Sequence, residues 1–211
     1  TMTIGPNARI SVDGAGYTSK LTVNGKKSTY GGNHGGYGGG NSDQISEPEG
    51  YLYGSLTSPE EPGDSGHTTY CKGGGGGAVW LAVSGALTNN GAISADGSPA
   101  TWYTSAGGSV YVVAGSISGT GTITAKGGAC SDWGGGGGGR VAVKLTGQGS
   151  DFANYDIVAR CSAAYGGGSR YLSSCGTIYA ETAADTPGQG WLVMKGYGQI
   201  PGIKYRYGCP F

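Results

Sequence analysis

The sequence predicts an all-β chain wound as a β-solenoid, with coils of about 31 residues and polyglycine tracts in register from coil to coil. Three observations carry that expectation. The segments GGAVWLAVSG, GGSVYVVAGS and GGRVAVKLTG align on Val79, Val110 and Val141, a step of 31 residues each time. Forty-eight of the 211 residues are glycine, and the runs 73–77 and 134–139 exclude helix locally, because interior glycine costs about 1 kcal/mol per position. The tracts also recur at one place, just before the Val79-type strand. A flexible linker has no reason to keep such a register.

Each repeat holds three short alternating apolar segments, represented by Val79 to Val83, Ala86 to Leu87 and Ala92 to Ala95, with Gly or Asn turns between them. Behind the first two strands, ALTNNGAISADG matches SISGTGTITAKG, so Leu87 and Ile93 correspond to Ile117 and Ile123. The chain opens on the same module, with Ile4 and Ile10 in those two places, and closes on a looser copy in which Ile178 takes the Val141 place and Ile157 the Ile123 place. One such unit cannot bury its inward side chains alone, so copies must stack, with Val79, Val110, Val141 and Ile178 in one column and Ile10, Ile93 and Ile123 in another. A β-sandwich of degenerate hairpins is the competing arrangement. The whole chain, 1–211, reads as one domain, with 30–72 as a glycine-rich and acidic irregular insertion and 182–211 as a C-terminal end segment. Thr1 stands halfway through a repeat, so either a leader was removed or the chain is a piece of something longer. A complete chain would dock its first partial coil on the last coil of another molecule, Gly176 to Tyr207.

The run GGGGGAVWLAVSGALTNNGAISADG, then GGSVYVVAGSISGTGTITAKGG, then GGGGGGRVAVKL resembles the glycine-rich β-helix repeats of large secreted and cell-surface proteins of the adhesin-like and autotransporter-like type. The resemblance covers roughly 73–181 and 1–16. It implies a right-handed parallel β-helix outside the cell and no particular reaction. Through the tracts alone the chain is also similar to phage tail adhesins with packed polyglycine helices.

Thirteen basic residues balance thirteen acidic ones, which removes the electrostatic footprint of nucleic-acid binding. No apolar stretch is long enough to span a bilayer. Five cysteines without paired zinc spacing read as disulfides in an oxidising, extracellular setting, with one left unpaired or bonded to another chain. The expected pairs are Cys161 with Cys175, closing a short loop, and Cys71 with Cys130, both placed before glycine tracts; Cys209 is the candidate for an inter-chain link.

Six of the thirteen acids, Asp43, Glu47, Glu49, Glu60, Glu61 and Asp64, lie within 22 residues without a Lys or Arg, so they are the candidate calcium ligands against the alternative of a solvated acidic loop. His34, inside GGNHGGYGGG, reads as a solvated loop histidine, and His67 as part of a turn. Asp13 and Asp96 read as turn caps. No catalytic residue and no cofactor is expected: Lys126, Asp132, Arg140, Lys144 and Glu181 are scattered, and no two carboxylates recur at the repeat period. The aromatic residues Trp102, Tyr103 and Trp133 are candidate contacts for a glycan or a receptor, or else close the ends of the core. The functional expectation is an extracellular, non-enzymatic structural subunit that polymerises head-to-tail into a filament or surface layer. The alternatives are a surface adhesin and, further off, a polysaccharide-active enzyme.

Overall fold

The computed structural model of the protein describes residues 1–23, 26–27, 30–39, 51–67, 69, 71, 73–130, 134–152, 157–158 and 173–194. Its strands are β1 (Met2–Ile4), β2 (Arg9–Ser11), β3 (Thr22–Val23), β4 (Lys26–Lys27), β5 (Ala78–Asn89), β6 (Ala92–Ser94), β7 (Ser109–Ser118), β8 (Thr122–Thr124), β9 (Arg140–Leu145), β10 (Ile157–Val158), β11 (Thr177–Glu181) and β12 (Trp191–Val193). They form a six-stranded sheet in the order β1-β5-β7-β9-β11-β12, a four-stranded sheet in the order β10-β8-β6-β2 and the small pair β3-β4.

The apolar columns lie in register. Val79 pairs with Val110, Val110 with Val141, and Val141 with Ile178. In the second sheet Ile10 pairs with Ile93, Ile93 with Ile123, and Ile123 with Ile157. Alternation sends Val79, Val83, Val110, Val112, Val141, Val143 and Leu145 of the first sheet into one core cluster with Ile93, Ala95, Ile123 and Ala125. Between Val83 and Ala86 the pairing shifts by one residue, a bulge in β5 that takes in Ser84 and Gly85. Past the bulge the repeat shortens, so Leu87 meets Ile117 and Ile93 meets Ile123.

The expected right-handed parallel β-solenoid of 31-residue coils is corrected by these sheets. Neither sheet closes, and the six-stranded one is mixed, because β12 runs antiparallel to β11. The first two short segments of each repeat merge into a single strand, β5 or β7, and only the third forms the second sheet. No strand forms where the tracts run. The reason lies in how their backbone bonds.

A strand sends its hydrogen bonds to two sides; these tracts use three. Gly75, Ala106 and Gly137 donate outward, to the carbonyls of Tyr17, Asp64 and Gly32 at 3.0, 2.9 and 3.0 Å. The next amides, Gly76, Gly107 and Gly138, donate to the following chain at Ala106, Gly137 and Ser174. The third set, Gly77, Gly108 and Gly139, donates inward to Val12, Ala95 and Ala125, directly after β2, β6 and β8. None of these glycines has a left-handed φ. Three directions from three consecutive residues is the habit of an extended threefold helix rather than of a pleated strand. Most tract glycines are therefore enclosed by backbone, and Ala106 is the one methyl-bearing residue in these three rows. A Cβ on Gly76 would fall on the carbonyl of Ala95 and the amide of Gly108.

The insertion supplies the outer row of this layer. Gly36 donates to Gly138 at 2.8 Å, Gly39 to Gly135 at 2.8 Å and Gly63 to Gly76 at 2.7 Å. The turn aspartates also act across the repeat instead of capping their own turns. Asp13 accepts from the amide of Asp96 at 2.8 Å, and Asp96 accepts from the amide of Lys126 at 2.8 Å.

Gly76→Ala is expected to cost about 3 kcal/mol or more and to lower the melting temperature by roughly 6–12 °C, because the layer must separate to admit one methyl group. Gly5, with nothing within 4 Å of its would-be Cβ, is the control; Gly5→Ala should stay within about 0.5 kcal/mol of the parent. Thermal unfolding of the two variants checks the contrast.

Candidate functional site

Beyond the glycine layer, residues 51–62 cross the outward side of the six-stranded sheet at the starts of β7, β9 and β11. Ser109, Arg140 and Thr177 stand in register there, and they tie the crossing segment down. The Ser109 hydroxyl donates to the carbonyl of Glu61 at 2.6 Å. Arg140 Nε donates to the carbonyl of Tyr53 at 2.7 Å, and its Nη1 to Thr177 Oγ1 at 3.0 Å. The Tyr53 hydroxyl closes the strap on itself by donating to the carbonyl of Pro62 at 2.8 Å.

His34 lies beneath this strap and is fully buried, which corrects the expectation of a solvated loop histidine. Its neighbours in sequence are glycines and polar residues, so its burial comes from the docking of tract on tract rather than from apolar pattern. Its Nδ1 lies 2.9 Å from the carbonyl of Gly107, and a nitrogen facing a carbonyl must carry the proton. Nε2 is then a bare acceptor, and it has no hydrogen-bond partner. The ring packs on Tyr53 with centroids 4.7 Å apart. Gly54, at φ +83°, marks where the polar groups converge: a Cβ there would lie 3.0 Å from Glu61 Oε2, 3.1 Å from His34 Nε2 and 3.4 Å from Arg140 Nε. Any side chain at Gly54 would enter the cluster and strain the turn as well.

Burial holds the His34 pKa down at about 4, helped by the Arg140 charge and opposed by the Gly107 carbonyl and the Glu61 charge. Nearby, burial raises Asp64 to about 6, although the Leu21 amide and the Lys20 charge favour its ionised form. The Leu21 amide donates to Asp64 Oδ1 at 2.9 Å, and the ammonium of the buried Lys20 donates to the carbonyl of Gly31 at 3.2 Å. Chemically this is a clamp: the Arg140 guanidinium and the Ser109 hydroxyl hold the strap against the sheet through its carbonyls, and the neutral imidazole packs beneath it on Tyr53. The guanidinium beside Nε2 opposes any cation there.

Of the calcium candidates, Asp43, Glu47 and Glu49 fall outside the described residues. Asp64 is buried beside the clamp, while Glu60 and Glu61 are both exposed, Glu61 with its carboxylate beside Gly54. Among the described residues no three His, Cys, Asp or Glu side chains converge as a metal site would require.

The expected Cys71–Cys130 disulfide is corrected: both are buried thiols that are not joined to each other. Cys71 Sγ is 3.1 Å from Ser105 Oγ, and Cys130 Sγ donates to the carbonyl of Thr101 at 3.2 Å. One precedes the first tract and the other the third, and two chain spacings of about 4.8 Å exceed what a disulfide bridges. Cys175 is disulfide-bonded, and its expected partner Cys161 lies outside the described residues, as does Cys209.

Tyr103 is buried, with φ +48°, between the rings of Tyr30 and His67 at 5.2 and 5.9 Å. It is a packing residue, which corrects its place among the ligand-contact candidates. Trp102 is 37 % exposed, and Trp133 lies outside the described residues. An aromatic pair that the sequence reading passed over is Trp80, which is exposed, with the half-buried Tyr111. Both occupy the outward position between two inward apolar residues, Val79 and Leu81 or Val110 and Val112, in consecutive repeats, and that alternation was the available signal.

Compared with protein-family models, with curated proteins and with solved structures, the chain gives no match. The likeness to secreted β-helix repeats thus rests on the residues that suggested it.

The two shifted groups act in opposite directions on stability. His34, lowered from 6.5 to about 4, contributes stability that is full above pH 6.5 and lost as pH falls through 4. Asp64, raised from 3.8 to about 6, contributes stability that is full below pH 3.8 and lost as pH rises through 6. Each amounts to about 3 kcal/mol, so between pH 6.5 and 4 they nearly cancel. Asp64→Asn should expose the His34 effect, with stability falling steeply on acidification across that window. His34→Gln should leave the Asp64 effect and give the opposite slope. Urea unfolding of both variants against pH tests the signs.

Proposed function

We propose that the protein is an extracellular structural building block that associates with copies of itself through the margins of its six-stranded sheet, without enzymatic activity. The observation that carries this reading is the edge of β5, which no strand of the described residues covers along Ala78 to Val83. Its residues Ala78 to Val83 pair with β7 on one side only, since β1 pairs with Leu87 to Asn89 alone. An unpaired edge of six residues is a template for another strand. The opposite margin is β12, where Trp191 is 72 % exposed beside the open Leu192.

Joining unlike margins is a head-to-tail contact that does not close, so it propagates into a filament. The interlocked glycine layer suits such a unit, because it fixes backbone by backbone without relying on a large apolar core. The disulfide at Cys175 favours an oxidising compartment. The clamp is read as structural because its histidine faces a guanidinium and a carboxylate under a strap rather than an open cleft.

Light scattering after size exclusion, over a wide concentration range and with negative-stain microscopy of the same samples, should reveal concentration-dependent linear oligomers. Ala78→Lys with Ala82→Lys places charge at two exposed positions of the edge strand and should return the protein to monomer without lowering its melting temperature. A parent protein that stays monomeric at every concentration overturns the reading.

A further inference from the structure

The two margins of the six-stranded sheet meet the same stretch of its strands. β12 pairs with β11 at Ile178, Tyr179 and Ala180. Followed across β9 and β7, those three residues stand in register with Val79, Trp80 and Leu81 of β5. β1 pairs with β5 only farther along, at Leu87 to Asn89. One margin is therefore a notch beside Ala78 to Val83, and the other carries a three-residue tongue, Trp191 to Val193, level with that notch. The side chains match as well. Trp191 and Val193, opposite Ala180 and Ile178, face the core side and line with Phe152 a cavity of about 360 Å³. Leu192, opposite Tyr179, faces outward as Trp80 does. Trp191 is 72 % exposed, Trp80 68 % and Leu192 50 %, the three most exposed large apolar side chains among the described residues.

We infer that β12 of one copy enters the β5 notch of the next as an antiparallel strand, with Val193 opposite Val79, Leu192 opposite Trp80 and Trp191 opposite Leu81. This rests on the self-association reading and adds to it the polarity and the register of the joint. In a copy stacked by translation β5 runs in the direction of β11, so β12 meets it antiparallel, as it meets β11. Directly opposed side chains share one side of a sheet. The pairing thus brings Val79 and Leu81 to the cavity beside Val193 and Trp191 and lays Leu192 on Trp80, so a single joint covers all three exposed residues. Leu81 and Val193 pack on opposite ends of one core, which the joint makes continuous from copy to copy. Neither segment holds a charge or a proline, the residues that ordinarily keep a sheet edge from pairing. The tongue is also held in place before docking. The Gly190 amide donates to the Tyr179 hydroxyl at 2.8 Å, that hydroxyl donates to Glu181, and Glu181 accepts from the Gly188 amide at 2.9 Å. A strand fixed in advance loses little freedom on binding.

Two variants separate the halves of the joint. Leu192→Lys spoils the tongue and keeps the notch, whereas Ala78→Lys with Ala82→Lys spoils the notch and keeps the tongue. By light scattering, each alone should stay monomeric to concentrations about a hundredfold above those at which the parent assembles. An equimolar mixture of the two should form one-to-one dimers that grow no further. Micrographs of parent filaments should show an axial rise of about 24 Å per copy, from β5, β7, β9, β11 and β12 at about 4.8 Å apiece. Melting temperatures equal to the parent's show that the variants are folded, and Leu192→Ser takes the place of Leu192→Lys if that variant melts lower. Assembly that persists in either variant alone overturns the inference, because like margins then pair, and leaves the self-association reading in place. A mixture that stays monomeric while the parent assembles also overturns it, as does a rise that does not match. A parent that is monomeric at every concentration overturns both.

Discussion

The arrangement depends on backbone meeting backbone on three sides of the same residue. Where Gly75, Gly76 and Gly77 send consecutive amides to Tyr17, Ala106 and Val12, every direction that a side chain would take is already a hydrogen-bonded chain. Glycine is required there for its missing Cβ rather than for unusual dihedrals, since the tract glycines avoid the left-handed region. Buried amides and carbonyls must be paired, and this packing pairs them without a sheet. The apolar core is correspondingly thin, lying between the two sheets and continued on one side by a layer with almost no side chains.

The other features follow from that layer. The insertion could dock only on a surface made of backbone, and Gly36 and Gly39 supply one of the same kind. Its docking carries His34 inward, and the strap from Tyr51 to Pro62 then closes over it. An imidazole so placed must stay neutral, because burial and Arg140 both oppose its charge. Arg140 is held in turn by the Tyr53 carbonyl and the Thr177 hydroxyl. On the same outward side the strap stops short of Trp80, which leaves one part of the sheet covered and another open.

How far the sequence could be read differs from residue to residue. Val79, Val110, Val141 and Ile178 declare their column because inward side chains must be apolar and must recur at the spacing of the chain's return. The closed coil inferred from that recurrence did not follow, since a periodic apolar column is equally compatible with two open sheets. What separates the two is the conformation of a tract with no side chains to pattern. His34 was misread for a related reason: among glycines nothing signals burial, because the enclosing atoms are peptide groups. The pairing of Cys71 with Cys130 failed on distance, which depends on how many chains lie between, and the middle tract lies between them. Trp80 and Tyr111 were legible in principle, being outward residues at matching places in two repeats.

By itself the sequence determined the composition of the strands, the register of the core columns and the exclusion of helix from the tracts, all through side chains present or absent at a period. Only the tertiary structure decided the three-way bonding of the glycine layer, the docking of Gly31 to Gly39 upon it and the burial of His34 under a strap held by Arg140. Those contacts run through main-chain amides and carbonyls, which are the same in every residue but proline. Their partners are therefore chosen by geometry and leave no mark in the order of the amino acids.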